Sequence, residues 1–172
     1  MLDIVQYPAE VLRRPAEPVT EITGEIAALA RSMIETMYAA PGVGLAAPQV
    51  NQSLRMFVMD PGGEEDKRQP AVVINPRIIE SVGEATSEEG CLSIPGYYAE
   101  VPRAKTIHVQ FLDAHGNPVE RTLSDFPAFV FQHEFDHLDG ILFVDYLSRT
   151  RHRLFERDYG RDPWRWKFRS RR

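Results

Sequence analysis

The sequence predicts an α+β fold: small antiparallel or mixed strands packed around a central helix, with an N-terminal helix and a C-terminal helix beside them. Three observations predict it. Three separate stretches, near 24–38, 124–140 and 147–159, read as helices. Short runs rich in Val, Ile and Phe lie between them, bounded by Gly, Pro, Asp and Asn. Helices and strands do not alternate as βα units, which argues against a parallel sheet. A chain of 172 residues, 43% hydrophobic and 26% charged, suits one domain that buries a real core.

The elements can be justified in order. Apolar residues fall at Ile26, Leu29, Ala30, Met33, Ile34, Met37 and Tyr38, one face of a helix. Thr23 is its N-cap, and Pro41-Gly42 stops it. "GVGLAAPQV" (42–50) is too glycine-rich for a regular element. "LRMFVMD" (54–60) reads as a strand and "PGGEEDKRQP" (61–70) as a polar loop. "AVVINP" (71–76) and "IIESV" (78–82) read as two short strands. "KTIHVQFLD" (105–113), the turn "AHGN" and "PVERTL" (118–123) form a hairpin. "SDFPAFVFQHEFDHLDG" (124–140) is a helix capped by Ser124 or Asp125, with Pro127 in its first turn and Gly140 at its end. A last helix runs from about Leu147 to Tyr159, before Gly160 and Pro163 break it.

The net charge of −5 is unevenly spread. Residues 148–172 carry ten Arg and Lys against three acids, a charge of +7, which leaves −12 for the rest. The expected organisation is therefore a single domain over 1–147 and a basic C-terminal helix and tail over 148–172. A basic tail on an acidic body points to a polyanionic partner. With one cysteine, Cys91, no internal disulfide can form. No apolar run approaches a membrane span, and the N-terminus lacks a basic-then-apolar signal, so a cytoplasmic protein is expected.

"HEFDH" (133–137) carries the strongest chemistry. On a helix turning about 100° per residue, His133 and His137 lie about 40° apart, so both imidazoles can reach one ion. Glu134 sits on the flank of that face, near the ion without binding it: two ligands and a base. A catalytic site needs a third protein ligand and an open position. Proteases that extend this motif take a downstream His, but Phe143 stands at that offset here. A remote Glu stays open on sequence grounds. The better candidate is Cys91 in "EEGCLSIPG", because a thiolate is a strong ligand and its setting is polar.

Three segments together resemble the peptide deformylase family: "GVGLAAPQ" (42–49), "EGCLS" (89–93) and "HEFDH" (133–137), complete and in the family's order. The likeness covers roughly 1–150. It implies a metal-dependent hydrolase that removes formyl from N-formylmethionyl nascent peptides and releases formate. Cys91, His133 and His137 would bind the metal, with Fe²⁺ in the cell and Zn²⁺, Ni²⁺ or Co²⁺ as other ions the site accepts. Glu134 would take a proton from metal-bound water and return it to the leaving amine. The Gln49 side chain and the Leu92 N–H would hold the oxyanion. The peptide would add as a strand near Val43, Gly44 and Gly90, with the methionine side chain among Val43, Phe126, Phe129 and Val130. Those phenylalanines also suit the core face of the helix, and both readings can hold. Tyr98 stands where some bacterial members carry a basic residue. The C-terminal helix would dock on ribosomal RNA through Arg149, Arg151, Arg153 and Arg157, and Trp164 and Trp166 are placed to stack on unpaired bases. No membrane and no DNA are expected as partners.

Two other classes compete with this reading. A metallopeptidase could use the same helix, but Cys91 in "EGCLS" and the absent downstream His argue against it. A ribosome-bound protein with a degenerate site is the other, and every catalytic position here is intact.

Overall fold

The structure is a computed structural model that describes residues 1–62 and 67–159. Helix α1 spans Gly24–Ala39, α2 Phe126–Leu138 and α3 Arg149–Tyr159. Strands β1 (Gly44–Ala46), β2 (Met56–Met59), β3 (Ala71–Cys91), β4 (Ile94–Leu112) and β5 (Pro118–Ser124) form one sheet in the order β1-β2-β3-β4-β5. Every neighbouring pair in that sheet is antiparallel, so the fold is α+β as the sequence predicts.

α1 forms as its pattern predicts. Thr23 caps it by accepting from the Ile26 N–H, and Met33 and Met37 are fully buried on its apolar face. α2 departs from its predicted cap. Ser124 belongs to β5, and Asp125 adopts a left-handed φ of 56° with no side-chain cap bond. The backbone carries that turn instead: Asp125 N–H donates to Lys105 O, and Phe129 N–H to Asp125 O. At the other end Gly140 has φ +72°, and a Cβ there would lie 2.5 Å from the Arg13 carbonyl oxygen, so only glycine fits.

Three strand expectations need correction. The glycine-rich 42–50 segment is regular after all, holding β1 and a 3-10 turn at Ala47–Val50. The two short strands at 71–76 and 78–82 belong to one long strand, β3, which runs on into Cys91. β4 begins at Ile94, well before 105. β3 and β4 thus form a long hairpin joined by the tight Leu92-Ser93 turn, with register shifts at Ile74/Arg77, Ile78/Glu80 and Gly90/Cys91. Those bulges let the strand pass Pro76 and bend without losing its partner.

α2 lies across the sheet. Phe131, fully buried, meets Phe57 of β2 edge to face at 5.1 Å, and Ile107 and Val109 of β4 join the same cluster. Full burial of a side chain this size contributes about 1.5–3 kcal/mol. α1 covers Leu45 and Val58 in a second cluster. In a third, Phe155 and Tyr159 of α3 pack with Leu12, Ile94 and Phe143. The effect is that one face of α2 is pressed against β1 and the β3–β4 turn, where the three sequence motifs converge.

Candidate active site and metal centre

α2 buries two ionisable residues that an ordinary core helix would not: Glu134 is 4% exposed and His137 1%. His133 stands one turn before His137, with the rings 5.0 Å apart. The β3 terminus brings Cys91 against them, its Sγ 3.4 Å from His137 Nε2. One ligand atom from each of Cys91, His133 and His137 falls within 4.8 Å of the others.

This donor set fits a divalent ion. Tetrahedral coordination by one thiolate and two imidazoles puts sulfur and nitrogen about 3.5 Å apart, close to the separation observed. His133 Nδ1 lies 2.8 Å from Glu89 Oε2, which occupies that nitrogen and leaves Nε2 for the ion. His137 Nδ1 and Glu134 Oε2 are buried with no hydrogen-bond partner among the described residues. Phe143, at the offset a protease would give to a downstream His, packs its ring 6.0 Å from that of His133.

The electrostatics follow from burial. Burial pushes the Glu134 carboxyl up to about 7, with Glu89 adding to the rise and His133 and Arg103 opposing it. A carboxyl in that range exchanges protons readily near neutrality. Burial, and then the charge on His133, hold His137 well below the usual imidazole range, so it stays a neutral donor. Burial alone would lower His133 too, but the hydrogen bonds to Cys91 and Glu89 outweigh it and hold it high, so an ion at Nε2 would displace a proton there.

Gln49 is fixed in one orientation. Its Oε1 accepts the Ala46 N–H at 2.8 Å, so its amide nitrogen must face the other way. That nitrogen lies 3.1 Å from Ser93 Oγ and 3.4 Å from Cys91 Sγ, aimed into the centre. Leu92 occupies the tight turn after Cys91.

Above the centre opens a cleft of about 490 Å³. Val43, Gly44, Gln49, Gly90, Cys91 and Leu92 line one side, and Phe126, Phe129, Val130, His133 and Glu134 the other. Every site residue predicted from sequence therefore meets there, with His137 just beneath. Gly44 is required by close approach: a methyl on it would run into the Glu134 carboxylate. At the mouth, Val43, Phe126 and Tyr98 are all exposed.

Sequence reasoning missed one part of the site. Arg103, 6% exposed, donates from Nε and Nη2 to Glu89 at 2.8 and 2.9 Å and from Nη1 to Asp136 at 2.6 Å. Burial would raise the Glu89 pKa, but Arg103 and His133 outweigh it and hold the carboxylate low. Glu89 had a signal, as the acid of the cysteine motif. Arg103 had none, because nothing local marks it as the partner of a residue fourteen positions away.

Comparison with known proteins gives the family. The family model for polypeptide deformylase matches residues 1–153. A peptide deformylase of Alkalilimnicola ehrlichii is 50% identical over 157 residues, covering 91% of this chain and 88% of the relative. One from Aquifex aeolicus is 50% identical over 153 residues, covering 88% and 90%. The crystal structure of a peptide deformylase from Legionella pneumophila superposes with a TM-score of 0.89 at 41% identity, over 100% of this chain and 99% of that one. The Thermus thermophilus peptide deformylase gives 0.86 at 43%, over 99% and 100%. A family match over this span, with relatives at half identity along most of their length, means that this chain belongs to the polypeptide deformylase family of metal-dependent hydrolases.

Proposed function

We propose that the chain hydrolyses the formyl amide of N-formylmethionyl nascent peptides through Cys91, His133 and His137 as metal ligands and Glu134 as the proton carrier. The carrying observation is the sulfur–nitrogen–nitrogen cluster with a buried, half-unpartnered Glu134 beside it at the floor of a cleft. A divalent ion on this set supplies Lewis acidity and a water of lowered pKa. Glu134 accepts the proton from the attacking water at its free Oε2 and returns it to the amine nitrogen of methionine as the C–N bond breaks. The Gln49 amide, locked by Ala46, donates to the formyl oxygen as negative charge develops there, and the Leu92 N–H serves as the second donor. The peptide extends along Val43, Gly44 and Gly90, and the methionine side chain enters among Val43, Phe126, Phe129 and Val130.

Formate release from formyl-Met-Ala-Ser tests the activity, with peptide-bond cleavage assayed in parallel. Formate without cleavage is expected; cleavage without formate would overturn the reading. The donor set accepts Fe²⁺, Zn²⁺, Ni²⁺ or Co²⁺, and the family likeness favours Fe²⁺ in the cell. Protein prepared anaerobically should then carry close to one iron per chain, and zinc at that occupancy would reject iron.

The same reading takes the chain as a catalytic unit over 1–147 with a basic segment beyond, working in the cytoplasm where the substrate emerges. No helix among the described residues is long and apolar enough to cross a membrane. α3 would dock on ribosomal RNA through backbone-phosphate contacts. Arg149, Arg151, Arg153 and Arg157 are all exposed on it, and Arg157 pairs with Asp158 at 2.6 Å. Trp164 and Trp166 lie outside the described residues. Cutting the chain after Leu147 would strip Phe155 and Tyr159 from the core, so charge reversal is the cleaner test. Arg149→Glu with Arg153→Glu is expected to weaken ribosome co-sedimentation, most at low salt, and to leave formate release from the tripeptide unchanged. Unaltered co-sedimentation would reject docking by α3.

A further inference from the structure

The 3-10 turn Phe143–Tyr146 follows α2 directly and bears on His133 from two directions. Phe143, 1% exposed, packs its ring 6.0 Å from the imidazole at an interplanar angle of 33°. Three residues on, Tyr146 reaches the far end of the Arg103 network. Its hydroxyl donates to Asp136 Oδ2 at 2.8 Å and accepts from Arg103 Nη1 at 3.4 Å. The guanidinium carbon sits 4.8 Å from the ring centroid, a cation–π contact. From there the path is continuous: Asp136 to Arg103, Arg103 bidentate to Glu89, and Glu89 to His133 Nδ1 at 2.8 Å.

We propose that Tyr146 is a positioning residue for the metal centre, holding His133 in its ligating orientation through Asp136, Arg103 and Glu89. This rests on the assignment of Cys91, His133 and His137 as ligands. The physical reason lies in where the network meets water. Glu89 is 7% exposed and Arg103 6%, but the Tyr146 ring that lies over Arg103 is in a residue 39% exposed. Removing the ring opens the Arg103–Asp136 end to solvent, where water competes for both ions and the pair loses its fixed geometry. Arg103 is then free to shift on Glu89, and the carboxylate that selects the His133 tautomer and ring angle is no longer pinned. Partners of this kind, one step behind a ligand, change metal affinity by about 10–100-fold when lost. Tyr146 stands further back, which places it at the lower end of that range. The Asp145 neighbour anchors the turn, accepting from Leu142 N at 2.9 Å and from Arg13 at 2.5 Å. The turn is therefore a fixed base for the tyrosine.

The test compares parent, Tyr146→Phe, Tyr146→Ala and Cys91→Ala as full-length, Co²⁺-loaded protein. Co²⁺ affinity is measured by chelator competition, and the ligand-field absorption bands report coordination geometry. Tyr146→Ala is expected to weaken Co²⁺ binding about tenfold, to shift the absorption bands, and to lower kcat for the formylated tripeptide with little change in KM. Tyr146→Phe, which keeps the ring over Arg103 and loses only the hydroxyl, should fall between parent and Ala. A merely structural tyrosine would change the melting temperature and leave the folded protein's Co²⁺ affinity and spectrum alone. Parent-like affinity and bands in Tyr146→Ala would overturn the proposal. Cys91→Ala reports on the underlying assignment: it should lose tight binding, and if it binds like the parent, the ligand set itself is wrong and the positioning role falls with it.

Discussion

Replacing Glu134 with glutamine is expected to lower deformylation by about 10²–10⁴-fold while a divalent ion stays bound at one per chain. The expectation comes from geometry. Glu134 lies in the same cleft as His133, yet the cluster of ligand atoms comprises Cys91, His133 and His137. Glutamine keeps the side chain's shape against Gly44, where no extra atom fits, so the cleft wall should not move. What it loses is the ability to take a proton and give it back. Burial pushes the parent carboxyl up to about 7, where it is poised for both transfers. Metal content by atomic absorption, read beside formate release, separates the two roles. A folded Glu134→Gln protein that had lost its ion would make Glu134 a ligand, and one that kept near-parent turnover would remove it from the chemistry.

The second large effect is on stability. Arg103→Met should destabilise the fold by about 3–5 kcal/mol, because it strands two carboxylates that were paired in the interior. Glu89 and Asp136 side chains are 7% and 14% exposed, and their shared guanidinium is 3% exposed. The pH dependence has a definite sign. Burial opposes the Glu89 charge, but the hydrogen bonds from Arg103 and His133 leave its folded pKa below the unfolded value. Its contribution is therefore complete above the ordinary carboxylate range and is lost as pH falls through the depressed folded value. Without Arg103, burial is no longer outweighed by that partner, and protonation relieves the stranded charge. The deficit of Arg103→Met against the parent should be largest at neutral pH and shrink on acidification, measured by urea denaturation across that range. A deficit independent of pH would show that Arg103 acts through packing of its stem and not through its charge.

What the sequence determined is what local spacing can express. The apolar face of α1 and its Thr23 cap lie within about four turns of helix. The i,i+4 placement of His133 and His137, with Glu134 between them, is a property of one short helix and needs no distant partner. The three motifs carried the site residues and, by resemblance, the family. Regularity at 94–104 has no local signal, because Pro95, Gly96 and Pro102 all disfavour a strand. Pairing to β3 along its full length overrode that local preference, as strand formation depends on the partner more than on the residue. The gap between 71–76 and 78–82 was equally deceptive. Asn75 takes a left-handed φ of 50°, and its side chain bonds both Val19 N and Val19 O, so the kink is held by a segment 56 residues away. The tertiary structure alone decided the rest of the site. It set Cys91 against His137 across 46 residues, turned the Gln49 amide by giving its oxygen to Ala46, and chose Arg103 to charge-balance Glu89 and Asp136. Local sequence fixes which face of an element is apolar; which charges end up buried together depends on how distant elements pack, and burial is what makes those charges act.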